Sequence, residues 1–122
     1  MTDTKTETIV DQYKSILRRV ASAAKGVGRD PSCVKLIAVT KTFEHTDILP
    51  VLSSGHKSFG ENRVQEAKSK WPSLRTHYED VDLHLLGPLQ SNKIKEAVQL
   101  FDTIHTIDRP KIAEGLAAEV LK

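Results

Sequence analysis

Four short apolar runs alternate along this chain with segments of helical periodicity, and that alternation leaves few folds open. Val34-Lys35-Leu36-Ile37-Ala38-Val39-Thr40-Lys41 is almost continuously apolar and rich in β-branched residues, the composition of a strand buried on both faces in a parallel sheet. A helix is predicted from about Thr46 to Ser54, stopped by Gly55, then a short strand from Lys57 to Gly60 and a helix from Arg63 to Trp71 stopped by Pro72. The strand expected from Asp82 to Leu86 closes on Gly87-Pro88 and leads into a helix from about Ser91 to Leu100 carrying Ile94, Ala97 and Val98. A fourth strand, Thr103 to Ile107, meets Asp108 as N-cap and Pro110 in the first turn of a helix with Ile112, Leu116 and Val120 on one face. Ahead of all this, Ile9, Tyr13, Ile16, Leu17, Val20 and Ala24 recur at helical spacing until Gly26 and Gly28.

With Ile37, Phe59, Leu85 and Ile104 as strand centres, the steps of 22, 26 and 19 residues are each the size of one βα unit. The predicted class is α/β, a TIM-type β/α barrel, with a leading helix over 8–26 and about four βα units over 34–122. Eight units need roughly 200 residues. The 122 residues here therefore suggest the first half of such a barrel, and the last helix runs to Lys122 without a Gly, Asn or Pro to end it.

Eighteen Lys and Arg against sixteen Asp and Glu are interspersed and leave a net charge of +2, so no nucleic-acid or membrane-surface footprint is visible. The single cysteine, Cys33, rules out an internal disulfide or a cysteine-based zinc cluster and is expected to be a small buried hydrophobe. With no leader-like segment, and no apolar run near the ~18 residues of a membrane span, the expected setting is reducing and cytoplasmic.

In a β/α barrel the chemistry sits at the carboxyl ends of the strands. Here those positions are Lys41-Thr42, Glu61-Asn62, Gly87-Pro88 and Thr106. Lys41 ends a doubly buried strand, where partial desolvation lowers an ammonium's pKa and frees the amine to condense with an aldehyde. A strand-end lysine that simply reaches water is the plainer alternative. Asn62 can offer its amide to a cofactor oxygen, but with Gln65 three residues on it also reads as an N-cap with its capping-box partner. His84 shares a face with Leu86 by the two-residue alternation and either projects toward a bound ring or is a core histidine satisfied by hydrogen bonds. His105 could join it on a metal, yet neither HxH nor HExxH spacing is present. The turn from Gly87 to Lys93 opens a helix whose N-terminus can take an anion, or serves as a cap alone.

Four segments carry a resemblance: Leu36-Ile37-Ala38-Val39-Thr40-Lys41-Thr42, Phe59-Gly60-Glu61-Asn62-Arg63-Val64-Gln65-Glu66, His84-Leu85-Leu86-Gly87-Pro88-Leu89-Gln90-Ser91-Asn92-Lys93, and His105-Thr106-Ile107-Asp108. In this order, over about residues 34 to 112, they resemble the pyridoxal phosphate homeostasis proteins, single-domain relatives of the alanine racemase N-terminal barrel. The resemblance implies that residues 1–122 are half of a barrel that binds pyridoxal 5'-phosphate (PLP), with Lys41 forming the internal aldimine and Asn62 and His84 lining the pyridine ring. It implies a non-catalytic carrier or buffer that keeps PLP available yet unreactive, with PLP-dependent enzymes as its partners. The family's phosphate-binding segments, a Ser- and Met-rich turn and a later Arg-x-Gly strand and loop, have no counterpart before Lys122. Arg63 stands where a tyrosine is common, and Phe43-Glu44 where a lysine and proline are.

Two other readings compete with it. A PLP-dependent racemase or decarboxylase would need a second acid or base at the substrate α-carbon, and no such residue stands out. A half-barrel that binds no cofactor would expose a strand edge and pair with a second copy, so the expected state is monomer or homodimer.

Overall fold

Each apolar run contributes a strand, and three of the four strands are shorter than the run that supplies them. The computed structural model describes residues 4–40 and 43–122, with side chains for all of these except 4–7 and 45. The described residues fall into two compact units, one built from the chain up to Leu36 together with Glu44–His56, the other from Ile37–Phe43 and Lys57–Lys122.

The second unit holds the sheet. Its strands are β1 (Ala38–Val39), β2 (Ser58–Glu61), β3 (Asp82–Leu85) and β4 (Thr103–Ile104). All pair in parallel, in the order β1-β2-β3-β4. Parallel neighbours cannot be joined by a tight turn. The connections are α3 (Val64–His77) between β2 and β3, and a short 3-10 turn (Ser91–Lys93) running into α4 (Ile94–Leu100) between β3 and β4; α5 (Pro110–Val120) follows β4. This is the α/β arrangement expected from the sequence, as an open four-stranded parallel sheet. Its edges are β1 and β4.

Alternation along the strands sorts the side chains. Phe59 lies beside Leu83 in the ladder and Glu61 beside Leu85, and all four are fully buried. On α3, Val64, Ala67, Trp71 and Leu74 recur at helical spacing and are buried, with the Trp71 ring centroid 5.0 Å from that of Phe59. Burying a side chain of Leu, Phe or Ile size contributes about 1.5–3 kcal/mol, so each large residue of this layer counts on that scale. The alternate positions, Gly60 and His84, are paired to one another. A Cβ on Gly60 would lie 2.6 Å from Leu86 Cδ1 and 3.0 Å from Ile37 Cγ2. Glycine at this position lets those two side chains close over β2. Gly115 similarly allows α5 to approach α4, because a Cβ there would meet Ile94 Cδ1 at 2.5 Å.

Several local expectations are corrected. The Val34–Lys41 run pairs over only two residues, and Val39 is 43% exposed because β1 is an edge strand with one neighbour. Pro72 does not stop α3, which continues to His77. A proline deletes one helical N–H bond, and tertiary contacts outweigh that loss here. Arg75 in the continued turn donates to the Leu100 carbonyl (2.6 Å) and the Val81 carbonyl (2.8 Å) and pairs with Asp102. Asp102 in turn accepts from the Leu83 amide at 2.8 Å. Asp108 is not the N-cap of α5; that position is Arg109, whose guanidinium pairs with Asp108 and donates to the Leu89 carbonyl at 2.8 Å.

The first unit contains α1 (Thr4–Gly26), a 3-10 turn (Pro31–Cys33) and α2 (His45–Ser53). Gly28 and Gly55 follow the two helices with φ of 73° and 95°, the left-handed geometry that glycine adopts without strain. The Tyr13 hydroxyl meets His56 Nδ1 at 2.9 Å, and burial pushes the Tyr13 phenol above its ordinary pKa. Ile16 and Leu17, expected on the packed face of α1, are 44% and 37% exposed; α2 has nine residues and cannot cover a helix of 23. Cys33 is exposed rather than buried, since no residue of its 3-10 turn is buried. No described helix is long and apolar enough to cross a membrane.

Candidate functional site

The carboxyl ends of β1, β2 and β3 lie side by side in the parallel sheet, so the residues that follow them gather at one edge. Backbone bonds continue the ladder there: the Thr40 amide donates to the Gly60 carbonyl (3.0 Å), the Leu86 amide to the Glu61 carbonyl (2.8 Å) and the His105 amide to the Leu85 carbonyl (2.9 Å). The Thr106 hydroxyl donates to the Leu86 carbonyl at 2.9 Å.

Of the residues singled out from sequence, Lys41 lies outside the described residues, as does Thr42. Asn62 follows β2 and is half-buried. It is not the helix cap: α3 begins at Val64 with Arg63 in the cap position, and Gln65 accepts from Lys93 Nζ at 3.3 Å instead of closing a capping box. The backbone of Asn62 is pressed against Gly87, where a Cβ would lie 2.0 Å from the Asn62 carbonyl oxygen. Glycine is therefore required for β2 and β3 to end this close together.

His84 is 4% exposed, and both of its ring nitrogens are engaged. Nε2 lies 2.8 Å from Asp82 Oδ2, and Nδ1 lies 2.8 Å from His105 Nε2, with the two imidazole centroids 5.0 Å apart. The core reading of His84 and its proximity to His105 thus hold together in one Asp82–His84–His105 chain. Its ring nitrogens are both committed to these partners.

Three residues given no role from sequence form a polar cluster among the described residues at this edge. Glu61 is fully buried, on the Phe59 face of β2. Its carboxylate accepts from the Thr40 hydroxyl at 2.9 Å and pairs with Lys70 of α3 at 2.9 Å, whose side chain is 9% exposed. Lys70 Nζ also donates to the Thr40 carbonyl (2.7 Å), the Phe43 carbonyl (3.0 Å) and, more distantly, Glu66 (3.4 Å). The sequence signal for this cluster was a carboxylate at a buried strand position, which must find a cation.

Beside it, between the ends of β2 and β3, a cavity of about 360 Å³ is lined by Arg63, Val64, Gln65, Pro88, Gln90 and Lys93. Two cationic and two amide side chains suit it to polar or anionic groups.

No family model matches the chain. It is 46% identical over 91 residues to the pyridoxal phosphate homeostasis protein of Vibrio alginolyticus, covering 73% of this chain and 39% of that one. Among solved structures, an unknown protein from Bifidobacterium adolescentis superposes with a TM-score of 0.91 at 30% identity, over 99% of this chain and 53% of its own. PipY of Synechococcus elongatus PCC7942, solved with PLP bound, gives a TM-score of 0.70 at 43% identity, over 88% of this chain and 50% of its own. The chain spans half or less of the length of the curated relatives it matches. Over most of its own residues, and over no more than about half of theirs, it is a relative of the pyridoxal phosphate homeostasis proteins.

Proposed function

We propose that this chain is the Lys-bearing half of a PLP-binding β/α barrel, that Lys41 holds PLP as a Schiff base, and that the protein buffers or carries PLP rather than catalysing a reaction. The observation that carries this reading is the 43% identity to PipY, a protein solved with PLP bound, over 88% of the chain. Parallel strands in sequential order, connected through helices, match the repeated βα unit from which such barrels are built. On this reading residues 1–122 belong to a single barrel domain, and the setting is cytoplasmic.

Two described residues support the pyridine-ring part of this reading. Asn62 is half-buried at the end of β2 and supplies an amide to a ring oxygen. His84, its nitrogens committed to Asp82 and His105, supplies a ring face for stacking. Bound PLP supplies the reactive aldehyde; the protein's part is to present one amine, hold the ring and keep water and stray amines away. PLP-dependent enzymes are the proposed recipients.

Incubation with PLP, borohydride reduction and peptide mass spectrometry tests the reading. A single pyridoxyl group on Lys41 is expected. Labelling scattered over surface lysines, both in this chain and in one extended past Lys122, would sink it.

A further inference from the structure

Lys70 is placed as no other described lysine is. Its ammonium has three N–H donors. They meet two backbone carbonyls, Thr40 at 2.7 Å and Phe43 at 3.0 Å, and the Glu61 carboxylate at 2.9 Å. The two carbonyls bracket positions 41 and 42. Glu61 is itself tied to the same segment, because the Thr40 hydroxyl donates to it at 2.9 Å. The Phe43 amide adds a bond to the Thr40 carbonyl at 3.2 Å. On the same helix, Trp71 and Ala67 are fully buried on the core face of α3.

We infer that Lys70 is a positioning residue: with Glu61 as its buried counter-ion and Thr40 as third member, it clamps the chain on both sides of Lys41 and thereby sets the reach of that amine. The inference rests on the reading of Lys41 as the PLP-binding residue, and it assigns Lys70 no contact with the ligand. The physical reason is one of entropy. A long lysine at a loose strand end samples many positions, whereas one whose flanking carbonyls are fixed presents its amine over a narrow range, and misplacement by about 1 Å can cost as much as ~100-fold in reactivity. Lys70 is itself poorly suited to bind the aldehyde, since every N–H it carries is committed to an acceptor.

The test compares the unmutated chain with the double variant Glu61→Gln/Lys70→Met, which removes the clamp without leaving an unpaired buried charge and keeps an acceptor for Thr40. Two readouts are taken. Trypsin cleavage after Lys41 is expected to accelerate by about tenfold or more in the variant, because the open form of the segment becomes more populated. Pyridoxyl labelling of Lys41, measured against that of exposed Lys57 and Lys68 in the same digest and followed by the visible absorbance of the imine, is expected to fall by about tenfold or more.

Unchanged cleavage overturns the clamp, whatever the labelling shows. Faster cleavage with Lys41 labelled equally in both proteins confines Lys70 to local stability and overturns its positioning role. If the unmutated chain and its extended form never label at Lys41, the PLP reading fails, and with it the positioning role; faster cleavage would then leave only a structural clamp. Lys70 is also tested without mutation: in the native chain it should be acylated by an amine reagent about tenfold or more slowly than Lys68, and equal rates would overturn the clamp.

Discussion

The two ends of β2 carry the same kind of ion pair in opposite surroundings. Before the strand, Lys57 meets Asp80 at 2.8 Å with both side chains more than 60% exposed. At its end, Lys70 meets Glu61 at 2.9 Å with side chains 9% and 0% exposed. Distance alone does not separate them. The exposed pair exchanges one well-solvated state for another and contributes little. The buried pair has given up hydration on both sides and is held in place by carbonyls and a hydroxyl, so losing one partner leaves a charge with nowhere to go. In a β/α architecture the carboxyl end is also where ligands are met, so the costly pair sits where placement of side chains matters most.

The largest expected effect comes from Lys70→Met alone, which strands the Glu61 carboxylate: about 3–5 kcal/mol lost in urea unfolding. Lys57→Met should leave the midpoint within error, and equal losses for the two would break the comparison. Gly87→Ala comes next, at about 3 kcal/mol, because its Cβ would collide with the Asn62 backbone and no side chain can yield. Gly60→Ala should cost less, about 1–2 kcal/mol, since Leu86 can shift its flexible end. In the double variant Glu61→Gln/Lys70→Met, stability should return to within about 1–2 kcal/mol of the parent, the mark of a pair kept for geometry rather than for net stability.

The smallest effect is a pH dependence at the exposed end. The hydrogen bond and charge of Lys57 hold the Asp80 carboxyl below its ordinary range, and the hydrogen bond and charge of Asp80 raise Lys57. A carboxyl lowered on folding stabilises above its unfolded pKa and loses that contribution as pH falls through the folded value. A lysine raised on folding stabilises below its unfolded pKa and loses it as pH rises through the folded value. The slight Tm difference between parent and Asp80→Asn should therefore be confined to the window between those two limits and vanish on either side.

Much of the fold was legible because it follows from period and spacing. The runs around Phe59, Leu85 and Ile104 became neighbouring parallel strands, and Gly55 ended a helix where a left-handed residue was needed. What was not legible depends on partners distant in sequence. Pro72 looks like a stop until Arg75 is seen tied to Leu100, Val81 and Asp102. Asn62 looks like a cap until Gly87 draws its backbone close and α3 starts two residues later. Glu61 stood among the strand-end positions, but its ion pair needed the register that turns it toward α3 and Lys70. A carboxylate two residues after a buried Phe on the same strand face was the available clue.

Trp71 is the only tryptophan in the chain, fully buried against Phe59, with its indole N–H meeting no acceptor among the described residues. Because it directly follows Lys70, the sheet unit carries an intrinsic optical reporter next to the clamp. Its emission should be blue-shifted and shielded from aqueous quenchers while the unit is intact. Loosening of α3 against β2 can then be watched in real time on the native molecule, with no label to disturb the contacts being measured.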